Sequence, residues 1–450
     1  MKPIFNEEKQ FFYGQTGIEL PDNCWRHGSK IYLNSDKETL MVTFKVDQGK
    51  IIIKKNEIEK IVSQYKNKTI QEEINENLDR LNELEQESIE KTIEYIRKYN
   101  GSELRLSHSG GKDSDTAYHI FKKVVKEYKK RYDVELEYCI DFFNTSNDTP
   151  QTYKHIKKIQ SKDNLLIHNP EMGWYQWLSK KKNYYLPSTF VRNCCSTYKE
   201  GQLKNILHKD KDYIIFLGAR KHESTKRKDY DWDLNESWKL SHPNKKLNVY
   251  ENWRRFLPIV EFTDAEVWLY MIKEGIEFNE QYKLGFNRVG CIICPYMSDY
   301  VDLLVKHYYP FMWNRWMNIV EINYDTYGVE KRLKWNKQEY SEFGRWKTGL
   351  SKETEITSRK ANPERIKELA ELKGVSEEVA EKYFSKKCSC GKKLNPDEIA
   401  MFLKLYGRYE GYEDDRQYLC KNCLCKEYGI TKKEYAEMVH NFRNKGCELF

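Results

Sequence analysis

The sequence predicts an α/β protein built on a doubly wound parallel sheet, with a small β-rich N-terminal extension and a cysteine-bearing C-terminal module. Three observations carry this expectation. Short β-like runs alternate with helical runs from Leu104 onward. The string SHSGGKDS, residues 107 to 114, falls at one strand-to-helix junction. The cysteines arrive in closely spaced pairs, Cys194-Cys195, Cys291-Cys294 and Cys388-Cys390, followed by Cys420-Cys423-Cys425. Strands separated by helices favour a parallel sheet covered on both faces, with ligands beyond the carboxyl ends of its strands.

Residues 1–57 hold two alternating segments, Thr39 to Val46 and Lys50 to Lys54, around Asp47-Gln48-Gly49, which predicts a hairpin within the β-rich extension. Residues 58–100 carry apolar residues at helical intervals (Ile74, Leu78, Leu81, Leu84, Ile89, Ile93, Ile96) and form a helical connector. The main domain, 101–361, follows with strands at Leu104 to Leu106, Val134 to Phe143, Asn164 to His168 and Ile214 to Gly218, and helices at Asp115 to Tyr128 and Thr149 to Ser161. The aromatic residues after Phe262, among them Trp268, Trp313 and Trp316, suit core packing. Residues 362–450 comprise a helical linker and the cysteine module.

The chain has 450 residues, 77 basic and 69 acidic, for a net charge of +8. That balance suits an anionic nucleotide or weak nucleic-acid affinity and demands neither. No apolar run approaches the length of a membrane span and no charged-then-apolar leader is present, so the expectation is a cytoplasmic protein without a membrane partner. Twelve cysteines in paired spacing favour metal sites over disulfides.

The SGGKDS core is an anion cradle. Gly110 and Gly111 permit close approach of backbone N–H groups to a phosphate, the following helix offers its partly positive end, and Lys112 adds a mobile charge. Asp113 and Ser114 suit helix capping. The spacing is not that of a Walker A loop, which excludes a P-loop NTPase. Cys194, Cys195, Cys291 and Cys294 supply four thiolates that suit a tetrahedral zinc ion or a four-iron cluster. Adjacent cysteines converge poorly on one zinc, which favours the cluster with its separate iron corners. Cys420 and Cys423 have knuckle spacing, and Cys388 with Cys390 completes a zinc-ribbon-like set, leaving Cys425 as a substitute ligand or free.

These segments resemble the phosphoadenosine phosphosulfate (PAPS) reductase family. SGGKDS resembles its pyrophosphatase-type loop. CCSTYKEGQLKNIL and Cys291-Ile292-Ile293-Cys294-Pro295 resemble the paired-cysteine segments of its adenosine phosphosulfate (APS) reductase branch. GARKHESTKRKDY and LPIVEFTDAEVWLYM are similar to two further segments, so the resemblance runs from Leu104 to Pro295.

The resemblance implies the adenine nucleotide alpha-hydrolase-like fold and an enzyme of sulfur chemistry. By it Ser109, Gly110, Gly111, Lys112, Asp113 and Ser114 bind the phosphates of PAPS, APS or ATP, with Thr145 and Asn147 near the adenosine. Lys199, Arg220 and Arg227 contact the phosphate or sulfate end, where Arg offers a planar fork for oxyanions. Cys194, Cys195, Cys291 and Cys294 hold a 4Fe-4S cluster. A reductase of this family uses a cysteine near its C-terminus, here Cys447 in Gly446-Cys447-Glu448-Leu449-Phe450, which departs from the family's E-C-G-L-H motif. Such a reductase draws on a thiol or thioredoxin-like reductant. The alternative within enzymes is ATP-dependent adenylation followed by sulfur transfer from a sulfur donor to nucleic acid. The alternative outside enzymes is a nucleic-acid or protein-binding adaptor.

Overall fold

The structure, a computed structural model, describes residues 1–224, 227–241, 250–359, 361–384, 388, 390–392, 394, 396–406 and 418–444. These residues form two compact units, one of 1–329 with 336–349 and one of 330–335 with 350–450.

The first unit contains two five-stranded sheets. The N-terminal sheet is antiparallel, β1 (Lys2–Pro3), β2 (Trp25–His27), β3 (Lys30–Tyr32), β4 (Leu40–Asp47) and β5 (Lys50–Asn56), each paired with the next. Gln48 (φ 46°) and Gly49 (φ 73°) turn β4 into β5. Two successive positive φ values match the right-handed twist of the flanking strands, as the expected hairpin requires. Three helices, Ile58–Gln64, Ile70–Glu76 and Leu78–Lys98, lead out of it. The apolar stripe of the last, Leu81, Leu84, Ile89, Ile93 and Ile96, is buried in one core with Ile120, Phe121 and Val124 of the helix Lys112–Tyr132. It is a packed connector.

The second sheet is parallel throughout, in the order β10-β9-β6-β7-β8, with β6 (Glu103–Ser107), β7 (Tyr138–Phe143), β8 (Leu165–His168), β9 (Tyr213–Leu217) and β10 (Trp253–Phe256). Ile140, Phe142, Ile214, Ile215 and Phe216 are all buried, because helices cover both faces. The chain winds from β6 outward through β7 to β8 and then returns to β9 on the other side of β6. The winding therefore reverses between β6 and β9, and that switch point opens a crevice at their carboxyl ends. SHSGGKDS leaves β6 there, and Gly218 to Arg220 leave β9 beside it. The edge strand β10, Trp-Arg-Arg-Phe, was not expected from sequence; two arginines in four residues mask the alternation of its buried ends, Trp253 and Phe256.

The second unit contains six described helices, from Lys352–Thr357 to Lys432–Asn444. Ile356, Leu369, Ala370 and Ala380 make one small core, and Met401, Phe402, Leu419, Leu424, Tyr435 and Val439 make another around the cysteines. No helix among the described residues is long and apolar enough to cross a membrane.

Candidate nucleotide and cysteine site

The cradle is held from inside by its own side chains. Gly110 has φ +76°, and a Cβ there would also meet Thr152 Cγ2 at 3.0 Å, so both backbone and space call for glycine. The Ser114 hydroxyl accepts the N–H groups of Ser109 and Gly111, each at 3.2 Å, and donates to Gly111 O at 2.8 Å. The helix begins at Lys112, with Gly111 as the extended N-cap. His108 Nδ1 accepts the Gly110 N–H at 3.1 Å. Behind it, Asp115 Oδ1 lies 3.2 Å from His108 Nε2 and 2.7 Å from His155 Nε2, all three side chains buried. Burial works against the Asp115 charge, but the two imidazoles offset it and hold the carboxyl below its usual range.

Lys112 and Arg220 form an ion cluster with two carboxylates. Lys112 Nζ is 2.8 Å from both Asp113 oxygens and 3.7 Å from Asp264 Oδ1. Arg220, fully buried, donates from Nε to Asp113 Oδ1 and from one terminal nitrogen to Asp264 Oδ1, each at 2.6 Å, and from the other to Phe262 O at 3.1 Å. The Met1 ammonium reaches Asp264 Oδ2 at 2.7 Å. Burial raises both carboxyls, and the facing cations more than reverse this, leaving Asp113 and Asp264 well below the carboxylate range. Arg220 and Lys112 thus share the carboxylates of Asp113 and Asp264. Gly218 closes the back of the site: a Cβ there would lie 2.5 Å from Asp113 O and 2.7 Å from Ser114 N.

The loop after β7 ties the cysteines to the sheet. Thr145 Oγ1 donates to Asp148 Oδ2 at 2.8 Å and receives Cys291 Sγ at 3.5 Å. Asn147, fully buried, accepts the Ile292 N–H at 2.7 Å and donates to Ile293 O at 3.1 Å, clamping the turn between Cys291 and Cys294. Cys194 and Cys195 lie on the short helix Asn193–Cys195, which continues as a π turn over Ser196–Glu200. That wide turn depends on Gly201, where a Cβ would lie 2.3 Å from Ser196 O. The Cys194 thiol is pushed up by hydrogen bonding to Cys195, by burial, and by negative charge at Cys291 and Cys294. Burial pushes Cys291 up to about 11 against the pull of Lys199. Lys199 keeps access to solvent, and its ammonium is favoured first by Cys291, then by Asp148, Cys195 and Cys294. Cys194 is thus beside the other three thiols, and Cys291, Cys195 and Cys294 act on Lys199. Arg227 stands apart on a half-exposed pair with Glu223 and lies 5.8 Å from the Tyr230 ring centroid. Cys447 lies outside the described residues.

The four-cysteine groups differ in size. Cys388, Cys390, Cys420 and Cys423 bring their sulfurs within 4.8 Å of one another, with Cys390 and Cys420 at 3.8 Å. Thiolates about 2.3 Å from a tetrahedral zinc stand about 3.8 Å apart, so this set fits a single zinc-like ion. Cys425 is excluded from it, its sulfur 3.9 Å from Thr431 O in the module core. Among the described residues no other group of cysteine, histidine or acidic side chains gathers so tightly, Cys194, Cys195, Cys291 and Cys294 included. As a looser set of four thiols they would suit a cluster with separate iron corners.

Crevice, cradle and thiols belong to an α/β domain with a parallel sheet and a glycine-rich loop at its switch point. Residues 103–297 match the phosphoadenosine phosphosulfate reductase domain. An uncharacterized protein of Methanocaldococcus jannaschii is 27% identical over 301 residues, 66% of this chain and 65% of its own length. The adenosine 5′-phosphosulfate reductase of Salinibacter ruber is 28% identical over 24% of this chain and 38% of its own. This chain thus spans less than two thirds of either relative's length. A phosphoadenylyl-sulfate reductase from Candida auris, solved as a phosphate complex, aligns with 47% of this chain and 94% of its own at 13% identity and TM-score 0.32.

Sequence reasoning missed His108, Asn147's clamp, Gly218, Asp264 and Tyr282. His108 stands inside SHSGGKDS and Gly218 inside GARKHEST, so both motifs contained a signal. Tyr282 and Asp264 reach the site only through tertiary contact.

Proposed function

We propose that the chain binds an adenine sulfonucleotide at Ser109–Ser114 and reduces it to sulfite and adenylate. The single observation that supports this most is the segment from Asn279 to Cys294, which touches Gly110 and Lys112 and then presents Cys291 beside Lys199, so that phosphate donors and thiols are neighbours. Lys112 and the helix N–H groups bind the phosphates, and Asp113 and Asp264 orient the Lys112 ammonium. Lys199 balances negative charge where the sulfonate group meets the thiols. Thr145 and Asn147 hold the strand end nearest the adenosine.

In this reading Cys447 Sγ attacks the sulfate sulfur. The S–O bond to the nucleotide phosphate breaks and adenylate leaves with its electron pair. A thiol of a thioredoxin-like donor then attacks Cys447 Sγ, sulfite leaves with the S–S bonding pair, and the donor's second thiol resolves the mixed disulfide. Two thiols supply the two electrons that take sulfate sulfur to sulfite. Cys194, Cys195, Cys291 and Cys294 would hold a 4Fe-4S cluster, which supplies delocalised charge beside the transferred group. Cys388, Cys390, Cys420 and Cys423 would hold zinc, stabilising a module whose own core is small.

A second reading, adenylation by ATP with sulfur transfer to nucleic acid, is favoured by the surface near the thiols. Phe190 is 70% exposed and Tyr296 42%, Arg192 lies 5.5 Å from the Tyr296 ring centroid, and exposed Arg288 lies 3.6 Å from Cys294 Sγ. Exposed aromatics with arginines stack on unpaired bases. The discriminating assay offers the anaerobically purified chain PAPS, APS and ATP, and follows sulfite, AMP and pyrophosphate. Sulfite release that disappears in Cys447→Ser is expected. Pyrophosphate released from ATP only when RNA or DNA is added, with no sulfite from either sulfonucleotide, would replace the first reading by the second.

A further inference from the structure

The segment Asn279 to Cys294 meets the cradle at three successive points. Asn279 Nδ2 donates to Gly110 O at 3.2 Å and to Thr152 Oγ1 at 3.1 Å. The Tyr282 hydroxyl accepts the Lys112 N–H at 2.9 Å, and this is the first backbone donor of the cradle helix. Val289 packs on Gly111, its Cβ 3.5 Å from where a Cβ on that glycine would stand. The Tyr282 hydroxyl also stands against Gly111, 3.2 Å from where that Cβ would be. The phenol oxygen and the side chain of Val289, two residues before Cys291, therefore meet the same cradle glycine. Immediately beyond, a Cβ on Gly290 would lie 3.9 Å from Lys199 Nζ, and Cys291 reaches Thr145.

The far side of the segment is equally fixed. Arg26 of β2 donates to Gly285 O at 2.5 Å and pairs with buried Glu8 at 2.5 Å, while Glu8 also pairs with buried Lys2 at 2.5 Å. A Cβ on Gly285 would lie 3.1 Å from Glu8 Cγ. The ring of Tyr282 is fully buried and meets Trp268 edge-on at 5.0 Å. With ring and Gly285 both anchored, the hydroxyl end is where cradle occupancy can act. A phosphate oxygen that draws on the Lys112 N–H competes with, or is reinforced by, the Tyr282 hydroxyl, and either event bears on the Val289 contact at Gly111.

We infer that Tyr282 is a positioning residue that couples nucleotide occupancy of the cradle to the pose of the Cys291–Cys294 turn. The inference rests on the proposed nucleotide site. Its test is amide hydrogen exchange on the full chain, with and without saturating ATP, in wild type, Tyr282→Phe and, as a control that loses a buried hydroxyl elsewhere, Tyr270→Phe. Tyr282→Phe removes one oxygen and keeps the ring against Trp268. In wild type and Tyr270→Phe, ATP should slow exchange in both 107–114 and 286–297, by ~3-fold or more. In Tyr282→Phe it should slow 107–114 alone. Equal slowing of 286–297 in Tyr282→Phe, or no slowing of that segment in wild type while the cradle responds, overturns the coupling and leaves the nucleotide site standing. A Tyr282→Phe cradle that no longer responds at any ATP concentration makes Tyr282 a direct ligand and overturns its positioning role. No response of 107–114 in wild type to ATP, APS or PAPS overturns the nucleotide site itself.

Discussion

The two four-cysteine groups use the same donor atoms and are built in opposite ways. In the C-terminal unit, Cys388 and Cys390 flank a tight turn in which Gly391 (φ +84°) donates to Cys388 O at 2.8 Å, and Cys420 caps the helix Lys421–Tyr428 that carries Cys423. Local backbone brings the sulfurs close. At the parallel sheet, one pair lies on a π-turned helix and the other on a loop clamped by Asn147 from a different strand end. Tertiary contacts, rather than one local turn, bring the two pairs towards each other. Ligand type is shared, and backbone geometry sets the spacing.

Swapping one cysteine in each group should separate their roles, and the largest effect falls on the C-terminal unit. Structural zinc contributes about 10–16 kcal/mol of binding free energy in small modules. Cys420→Ser should therefore abolish zinc uptake and expose residues 388–444 to limited proteolysis while iron content is kept. Cys291→Ser should do the reverse, losing iron and visible absorbance with zinc retained. Parallel loss of both metals in either variant would show that the groups are not independent.

The next effect comes from the ion cluster, which has no counterpart among the described residues of the C-terminal unit. Arg220→Ala leaves Asp113 and Asp264 short of a buried partner, a change that typically costs about 3–5 kcal/mol. Denaturant unfolding of the first unit should shift accordingly, and Arg220→Lys should recover only part, because a point charge cannot span both carboxylates.

The smallest effect is in pH dependence. Asp113, Asp115 and Asp264 all have folded-state values below the ordinary aspartate value. The stability they contribute is therefore complete above about pH 4 and is lost as pH falls through the lowered values. Thermal unfolding monitored from pH 7 down to pH 3 should show a plateau and then a decline, and Asp264→Asn should make that decline shallower. An unchanged slope would mean that Asp264 does not ionise as the cluster requires.

The parallel sheet and hairpin were legible because their residues obey simple periods. Ile214 to Leu217 is continuously apolar because both faces are covered, and Asp47-Gln48-Gly49 separates two alternating runs. The cradle was legible because two glycines, a lysine and a helix start lie within eight residues. β10 was not, since Arg254 and Arg255 outweigh Trp253 and Phe256 in any local window. Nor was Asp264, which reads as one more first-turn acid of the helix Asp264–Lys273 until Arg220 reaches it from the β9 loop.

By itself the sequence determined the class of sheet, the place of the anion cradle and the two sets of thiols, because each depends on residues close together in the chain. Only the tertiary structure decided that Arg220 is locked between Asp113 and Asp264, that Asn147 clamps the Cys291–Cys294 turn, and that one set of sulfurs is compact and the other spread. It also decided that Tyr282, 170 positions from Lys112, accepts that residue's N–H. Such contacts join elements whose separation along the chain carries no period or motif, so burial and the pairing of polar groups select them only once the sheet has formed.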